Sequence, residues 1–214
     1  MDTVESALAD IAVQWDKAEK LVKAAERARA QVVIASINEL RYAGRRLVDA
    51  YHLSESAKSD PLKRDEFDKH IKEVSAFCVR AQHDAIDAMV LFLQKAVEKY
   101  EAEFGLALLG EKYPPIFEMR TTLAEVDGLI VASREDRARR SEEYDKLAEI
   151  HYPKLISHYQ HLQSSRDILL EMLREKKKRE GGDLRRYWWV ILATFAAAIL
   201  GALIGAYASK VIGA

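Results

Sequence analysis

RDEFDKHIKEVSAFCVRAQHDAIDAMVLFLQKAVEKYEAEFG, residues 64–105, sets Phe67, Ile71, Val74, Cys78, Ala81, Ala85, Met89, Phe92 and Ala96 at spacings of three and four. That period puts every one of these side chains on one face of an α-helix. The stretch contains no proline, and no glycine before Gly105. It therefore reads as a single uninterrupted helix, ending near Phe104-Gly105. A helix this long must bury its stripe against other helices, so the class is all-α.

The flanking sequence has the same character. Leu8, Ile11, Trp15, Ala18, Val22 and Ala25, then Val32, Ser36, Leu40, Ala43 and Leu47, predict one helix of about fifty residues, or two in line. Asp2 with Glu5 forms a capping-box-like start. SESAKSDPLK, residues 54–63, closes this segment with Pro61. After GEKYPPIF, residues 110–117, Pro114-Pro115 preset a new helix with Ile116, Met119, Leu123, Val126 and Ile130 on one face. It turns polar in SREDRARRSEEYDK, residues 133–146, and Pro153 removes a backbone donor. Ala148, Tyr152, Leu155, Tyr159, Leu162, Arg166, Leu169 and Leu173 then form a heptad seam with one charged layer at Arg166. Expected helices are about 3–52, 64–104, 115–151 and 153–179. Short connections between long helices favour antiparallel neighbours, hence an elongated antiparallel bundle and stalk over residues 1–180.

The C-terminal region differs in composition. Tyr187 to Ser209, a run of 23 residues, has no Asp, Glu, Lys, Arg or His. As a helix it would extend about 34 Å against a hydrocarbon core of about 30 Å. Residues 187–209 are therefore expected to be a single transmembrane helix, with Tyr187, Trp188 and Trp189 at one interface and Tyr207 near the other. A basic juxtamembrane linker containing Gly181-Gly182 is expected over 181–186, and a short tail over 210–214. The basic collar is Lys176, Lys177, Lys178, Arg179, Arg185 and Arg186, with Arg174 just before it. From Arg174 to Arg186 there are seven Lys/Arg and three Asp/Glu. Taking these and Lys210 from the totals of 33 and 34 leaves 25 Lys/Arg against 31 Asp/Glu in residues 1–173, a net of about −6. An acidic body on a basic collar points to anionic lipid headgroups as a partner and away from nucleic acid. The positive collar beside the large domain predicts a tail-anchored protein whose N-terminal domain is cytoplasmic. MDTVESALAD has no secretory signal pattern. The single cysteine, Cys78, excludes an intramolecular disulfide, and Asn38 lies in no glycosylation sequon.

Within the span, Ala193, Ala197, Gly201, Gly205, Ser209 and Gly213 keep one register of four. Lipid tails are as apolar as leucine, so membrane helices attract one another chiefly where small residues let backbones approach. This predicts a homo-oligomer.

Nothing in the sequence defines catalytic, cofactor-binding or metal-ligating residues. No histidine is preceded three positions earlier by glutamate, and no Gly-rich phosphate loop or Gly-x-Ser-x-Gly motif occurs. Cys78 sits between Phe77 and Val79 on an apolar stripe, as a structural thiol does. Two polar clusters remain. INELRYAGRRL, residues 37–47, presents Glu39, Tyr42 and Arg45; the third helix presents Arg134, Glu135, Asp136 and Arg137. Either they are solvated faces laced with ion pairs, or they meet as a partly buried network. In the second case Glu39→Ala would strand a buried arginine.

These features predict a non-enzymatic interaction and assembly module held in a membrane. Two alternatives are a pore-forming effector built from the glycine-rich helix and, with only about four clean heptads, a SNARE-like fusion protein.

Overall fold

The computed structural model describes residues 3–136 and 139–212, with backbone alone over 180–186 and 198–212. The chain is all-α, and no strand occurs among the described residues. It divides into two units, Met1–Ser164 and Ser165–Ala214.

In the first unit, α1 spans Val4–Arg29 and α2 spans Ile34–Leu53. The cap of α1 is Thr3, whose Oγ1 accepts from the Ser6 N–H at 3.1 Å. Glu5 is instead paired with Lys58 at 2.9 Å, and the cap comes from the Thr3 side chain alone, one residue later than the expected Asp2. The expected fifty-residue helix is broken at Ala30, which adopts the left-handed conformation at φ 52°. The Gln31 N–H returns to the Glu26 carbonyl and the Val33 N–H donates to Glu26 Oε1, which satisfies donors at the reversal. With Val33 buried beside the turn, α2 folds back along α1 rather than continuing it. The Lys58–Glu5 pair ties the end of that return to the start of α1. A Cβ placed on Gly44 would lie 3.5 Å from the Trp15 ring, an ordinary contact between the two helices.

A 3₁₀ turn at Ser56–Lys58 leads to α3, Pro61–Phe104, capped by Asp60, whose side chain accepts from the Leu62 N–H. At 1.5 Å per residue its 44 residues extend about 66 Å. It runs antiparallel to α2: Glu39 pairs with Arg80 at 2.7 Å and Arg46 with Glu73 at 2.8 Å, so one index rises by seven as the other falls by seven. Its first half packs Phe67, Val74, Cys78 and Ala81 against Val4, Ile11, Ala18, Ala43 and Ala50.

Gly105, at φ 76°, ends α3 where an L side chain would be strained. It leads into α4, Leu106–Lys112, and then α5, Pro115–Glu135. Pairs Arg120–Glu101 at 3.2 Å and Arg134–Asp87 at 3.4 Å make α5 antiparallel to the second half of α3. The expected continuous helix from 115 to 151 is not formed. It stops at Asp136, whose backbone is extended, and α6 covers Arg140–Lys146. The break falls in the charged stretch where the apolar stripe runs out, so no buried face holds the helix together.

A π-turn at Leu147–His151 joins α6 to α7, Tyr152–Ser164. Its place before Pro153 is physical: a proline ring clashes with the carbonyl four residues back and cannot donate, and a widened turn relieves both problems. The extra residue shifts the seam. Leu147, not Ala148, takes the buried position five residues before Tyr152, and Leu155, Tyr159 and Leu162 continue it.

The second unit contains α8, Arg166–Ile212. The expected helix 153–179 instead breaks at Ser165, preceded by Ser164 donating its hydroxyl to the His161 carbonyl at 2.9 Å. Such back-bonding competes with helix propagation. The backbone of α8 runs through Gly181-Gly182, where a linker was expected. Two helical glycines cost about 2 kcal/mol against alanine, and a helix already nucleated on both sides can carry that. Among the described residues, no helix is long and apolar enough to cross a membrane. The run 187–209 lies in α8, but its side chains are described only as far as Ala197.

Ala30 yields a direct test. Replacing it with glycine removes a left-handed strain of about 1 kcal/mol. Ala30→Gly is expected to raise the melting temperature by about 2–4 °C, read by circular dichroism.

Candidate functional site

The two halves of α3 meet over residues 80–87, and the polar groups of the first unit gather there. Arg80, His83, Asp84 and Asp87 follow one another at spacings of three, one and three, so they share one side of the helix. Helix α2 approaches with Glu39, α5 with Arg134, and α6 with Arg140 and Tyr144.

His83 is 7% exposed, and its ring stacks on Tyr144 with centroids 3.7 Å apart and planes 27° from parallel. The Tyr144 hydroxyl donates to Asp87 Oδ1 at 2.6 Å, while Arg134 reaches Asp87 Oδ2 at 3.4 Å. Arg140 stands over the other part of the Tyr144 ring, 5.7 Å from its centroid. Burial pushes the His83 pKa down to about 4, and the Arg140 charge pushes it the same way against Asp87 and Asp145. At neutral pH the imidazole is therefore uncharged. Burial also raises Asp84, with Glu39 and Asp87 adding repulsion, and it raises the Tyr144 phenol to about 12 together with its bond to Asp87.

A cavity of 340 Å³ opens beside His83 between α1, α3 and α6. Lys17 on its wall is held by Asp145 at 2.8 Å and Glu149 at 3.7 Å. Gln14 Oε1, also on the wall, is buried without a hydrogen-bond partner.

Both polar clusters singled out in the sequence are tied to α3. Glu39 bonds Arg80 and Arg134 bonds Asp87, one turn of helix on either side of Asp84. The Arg80 side chain is 50% exposed and also covers the Phe77 ring at 4.3 Å. It is not the buried arginine that the network reading required, so losing Glu39 costs about 1 kcal/mol or less. Tyr42 is exposed with its ring 5.6 Å from Phe77, and Arg45 pairs within its own helix with Asp49 at 3.2 Å. Glu135 and Asp136 are exposed at the end of α5; Arg137 lies outside the described residues.

Trp188, Trp189, Tyr187 and Ala193 are exposed on α8, as is Ala197. Of the basic collar, Lys176, Lys177, Lys178 and Arg179 are exposed, while the side chains of Arg185 and Arg186 lie outside the described residues. So do the side chains of Tyr207 and Ser209 and all of Gly213, while Gly201 and Gly205 are described as helical backbone only.

Sequence reading missed the His83–Tyr144 stack because 61 positions separate the partners. The one available signal was a histidine beside Ala85 and Ile86 on a buried face.

Chemically the cluster holds an uncharged imidazole, a high-pKa phenol and paired carboxylates. Cys78 is fully buried, and desolvation pushes its thiol up to about 11, which keeps it protonated and unreactive at neutral pH. Among the described residues no three His, Cys, Asp or Glu side chains converge as a metal site requires. No family model matches the chain, and neither does any curated protein or solved structure.

Two outcomes follow from this geometry. A histidine held neutral in the fold but titrating near 6.5 when unfolded lets the unfolded state bind more protons between those values. Its contribution is thus complete above about pH 6.5 and is lost as pH falls toward 4. The loss is on the order of 3 kcal/mol. His83→Phe keeps the stack and should flatten this part of the pH–melting curve; the difference from wild type cancels the Asp84 contribution. Tyr144→Phe leaves Asp87 Oδ1 without its short bond and should cost about 1–3 kcal/mol in chemical denaturation.

Proposed function

We propose that this chain is a non-enzymatic interaction and assembly module, held in a membrane by one helix near its C-terminal end. In this reading the first unit is an elongated antiparallel helical bundle on the cytoplasmic side, and its acidic surface receives protein partners. The observation that carries the reading is the uncharged run 187–209 placed directly after a collar of seven Lys/Arg and three Asp/Glu. A charged side chain at the centre of a bilayer costs about 2.5–3.5 kcal/mol, so 23 consecutive positions without one suit a spanning segment. The collar suits anionic headgroups on the side that retains the domain. Trp188 and Trp189 at the entry to the run suit an interfacial belt.

Self-association is the second part of the proposal. It rests on the register of Ala193, Ala197, Gly201, Gly205 and Ser209, where close helix approach supplies attraction that apolar burial does not. The span contains no Asp, Glu, Lys, Arg or His, so one copy offers no ion pathway.

Membrane attachment is tested by carbonate extraction of expressed protein and by protease protection of the N-terminal unit; release of the chain into the aqueous fraction would refute it. For assembly, the mass of the full-length protein in mild detergent is compared with that of Gly201→Leu/Gly205→Leu. An oligomer that the double substitution dissociates is the expected result. Equal masses would remove the small-residue register from the assembly mechanism.

A further inference from the structure

The cavity beside His83 has a wall chemistry that the assembly role does not use. Three helices bring neutral hydrogen-bonding side chains to it: Gln14 from α1, Ser75, Gln82 and His83 from α3, and Ser141 from α6. Gln14 Oε1 is buried there without a hydrogen-bond partner, while Ser141 is exposed to solvent. A buried polar atom without a partner costs about as much as a lost hydrogen bond, so Gln14 Oε1 is destabilising unless something in the cavity reaches it. At 340 Å³ the cavity lies at the small end of the range for ligand pockets.

The charge of the wall narrows what fits. Its one cation, Lys17, is neutralised by Asp145 at 2.8 Å, and Glu149 lies 3.7 Å away. An anion entering would find the wall's own cation already paired, with Arg140 on the Tyr144 ring rather than among the lining residues, and a cation would meet a carboxylate already engaged. Its imidazole, uncharged at neutral pH, offers one donor and one acceptor. The side-chain amides of Gln14 and Gln82 offer both kinds, as do the hydroxyls of Ser75 and Ser141. The remaining wall is the stacked His83–Tyr144 pair with the alkyl groups of Val79 and Ile86, which suits a ring with apolar faces.

We propose that this cavity binds a small neutral heterocyclic amide of the nucleobase type, its polar edge met by Gln14, Gln82 and His83 and its faces by the aromatic and aliphatic wall. Binding would draw α1, α3 and α6 together at the point where the two halves of α3 meet. No covalent step is involved.

The test uses full-length protein in mild detergent, labelled at the histidine ring carbons and followed by NMR. Uridine is the probe, with glucose and acetate titrated separately. The His83 signal is assigned by its loss in His83→Phe, or by its shift in Ser75→Ala should that variant not fold. The expected result is a saturable shift of this signal with uridine and none with acetate. Gln14→Leu should weaken binding roughly tenfold, the effect of one buried hydrogen bond, while the far-ultraviolet circular dichroism stays unchanged. The proposal is overturned by saturation with glucose or acetate and not uridine, by uridine binding that Gln14→Leu leaves intact, or by no shift with any probe. That last outcome means that the cavity holds only water. None of these results bears on membrane attachment, which extraction tests separately.

Discussion

Burial of the apolar side of α3 is the constraint on which the first unit rests. A helix of 44 residues cannot bury that side against any single helix of the first unit, since α1 and α2 have 26 and 20 residues and α5 has 21. Two groups of helices therefore share it: α1 and α2 cover the first half, and α5 with α7 and the π-turn covers the second. Each large side chain taken from water along this length, such as Phe67, Ile86, Met89 and Leu93, contributes about 1.5–3 kcal/mol before chain entropy is counted. The change of partner also rotates the buried face. Up to Met89 it follows the stripe visible in the sequence, but beyond it Leu93, Val97 and Tyr100 are buried where Phe92 and Ala96 were expected. A straight helix drifts by about 20° per heptad relative to a strict seven-residue repeat, and the new neighbours accept the drifted face.

Where the two groups of helices adjoin, neither supplies a fully apolar surface. Several polar groups there are matched: Glu39 with Arg80, Asp87 with Tyr144 and Arg134, Lys17 with Asp145. His83 is not among them. It stacks on Tyr144 and is buried, and that burial, reinforced by the Arg140 charge, disfavours its protonation. The adjoining cavity has the same origin, because helices arranged to pack on different stretches of α3 leave a gap between α1 and α6. The functional possibilities of the first unit are concentrated at this junction, while the proposed membrane role is concentrated in α8. The two roles draw on different physics, hydrogen bonding in a partly enclosed cavity on one side and transfer into hydrocarbon on the other.

Several features were legible in the residues alone because they are local. The all-α class, the extent of α3 to Phe104, the turn at Pro114-Pro115 and the inert character of Cys78 each follow from period, proline chemistry or neighbours. The polar residues Glu26–Arg29 left room for two helices in line, but the reversal at Ala30 was not legible: alanine is the best helix former and is held left-handed here by Glu26 and by the burial of Val33. The π-turn was legible as a disturbance at Pro153, but not as an inserted residue that moves burial from Ala148 to Leu147. The cluster at residues 80–87 was half legible: Glu39 and Arg134 stood out as charged, yet their partners on α3 looked like ordinary surface residues.

The sequence by itself determined that this protein is all-α and that charge is segregated toward a collar before an uncharged run. Hydrophobic period and composition are properties of short windows, so they need no knowledge of what packs where. Only the tertiary structure decided that α2 reverses along α1, that α5 lies antiparallel to the second half of α3, and that His83 meets Tyr144 beside a polar cavity. Those outcomes depend on which of several apolar faces pair with one another. That choice is made by the joint fit of side chains far apart in the chain, and no local pattern encodes it.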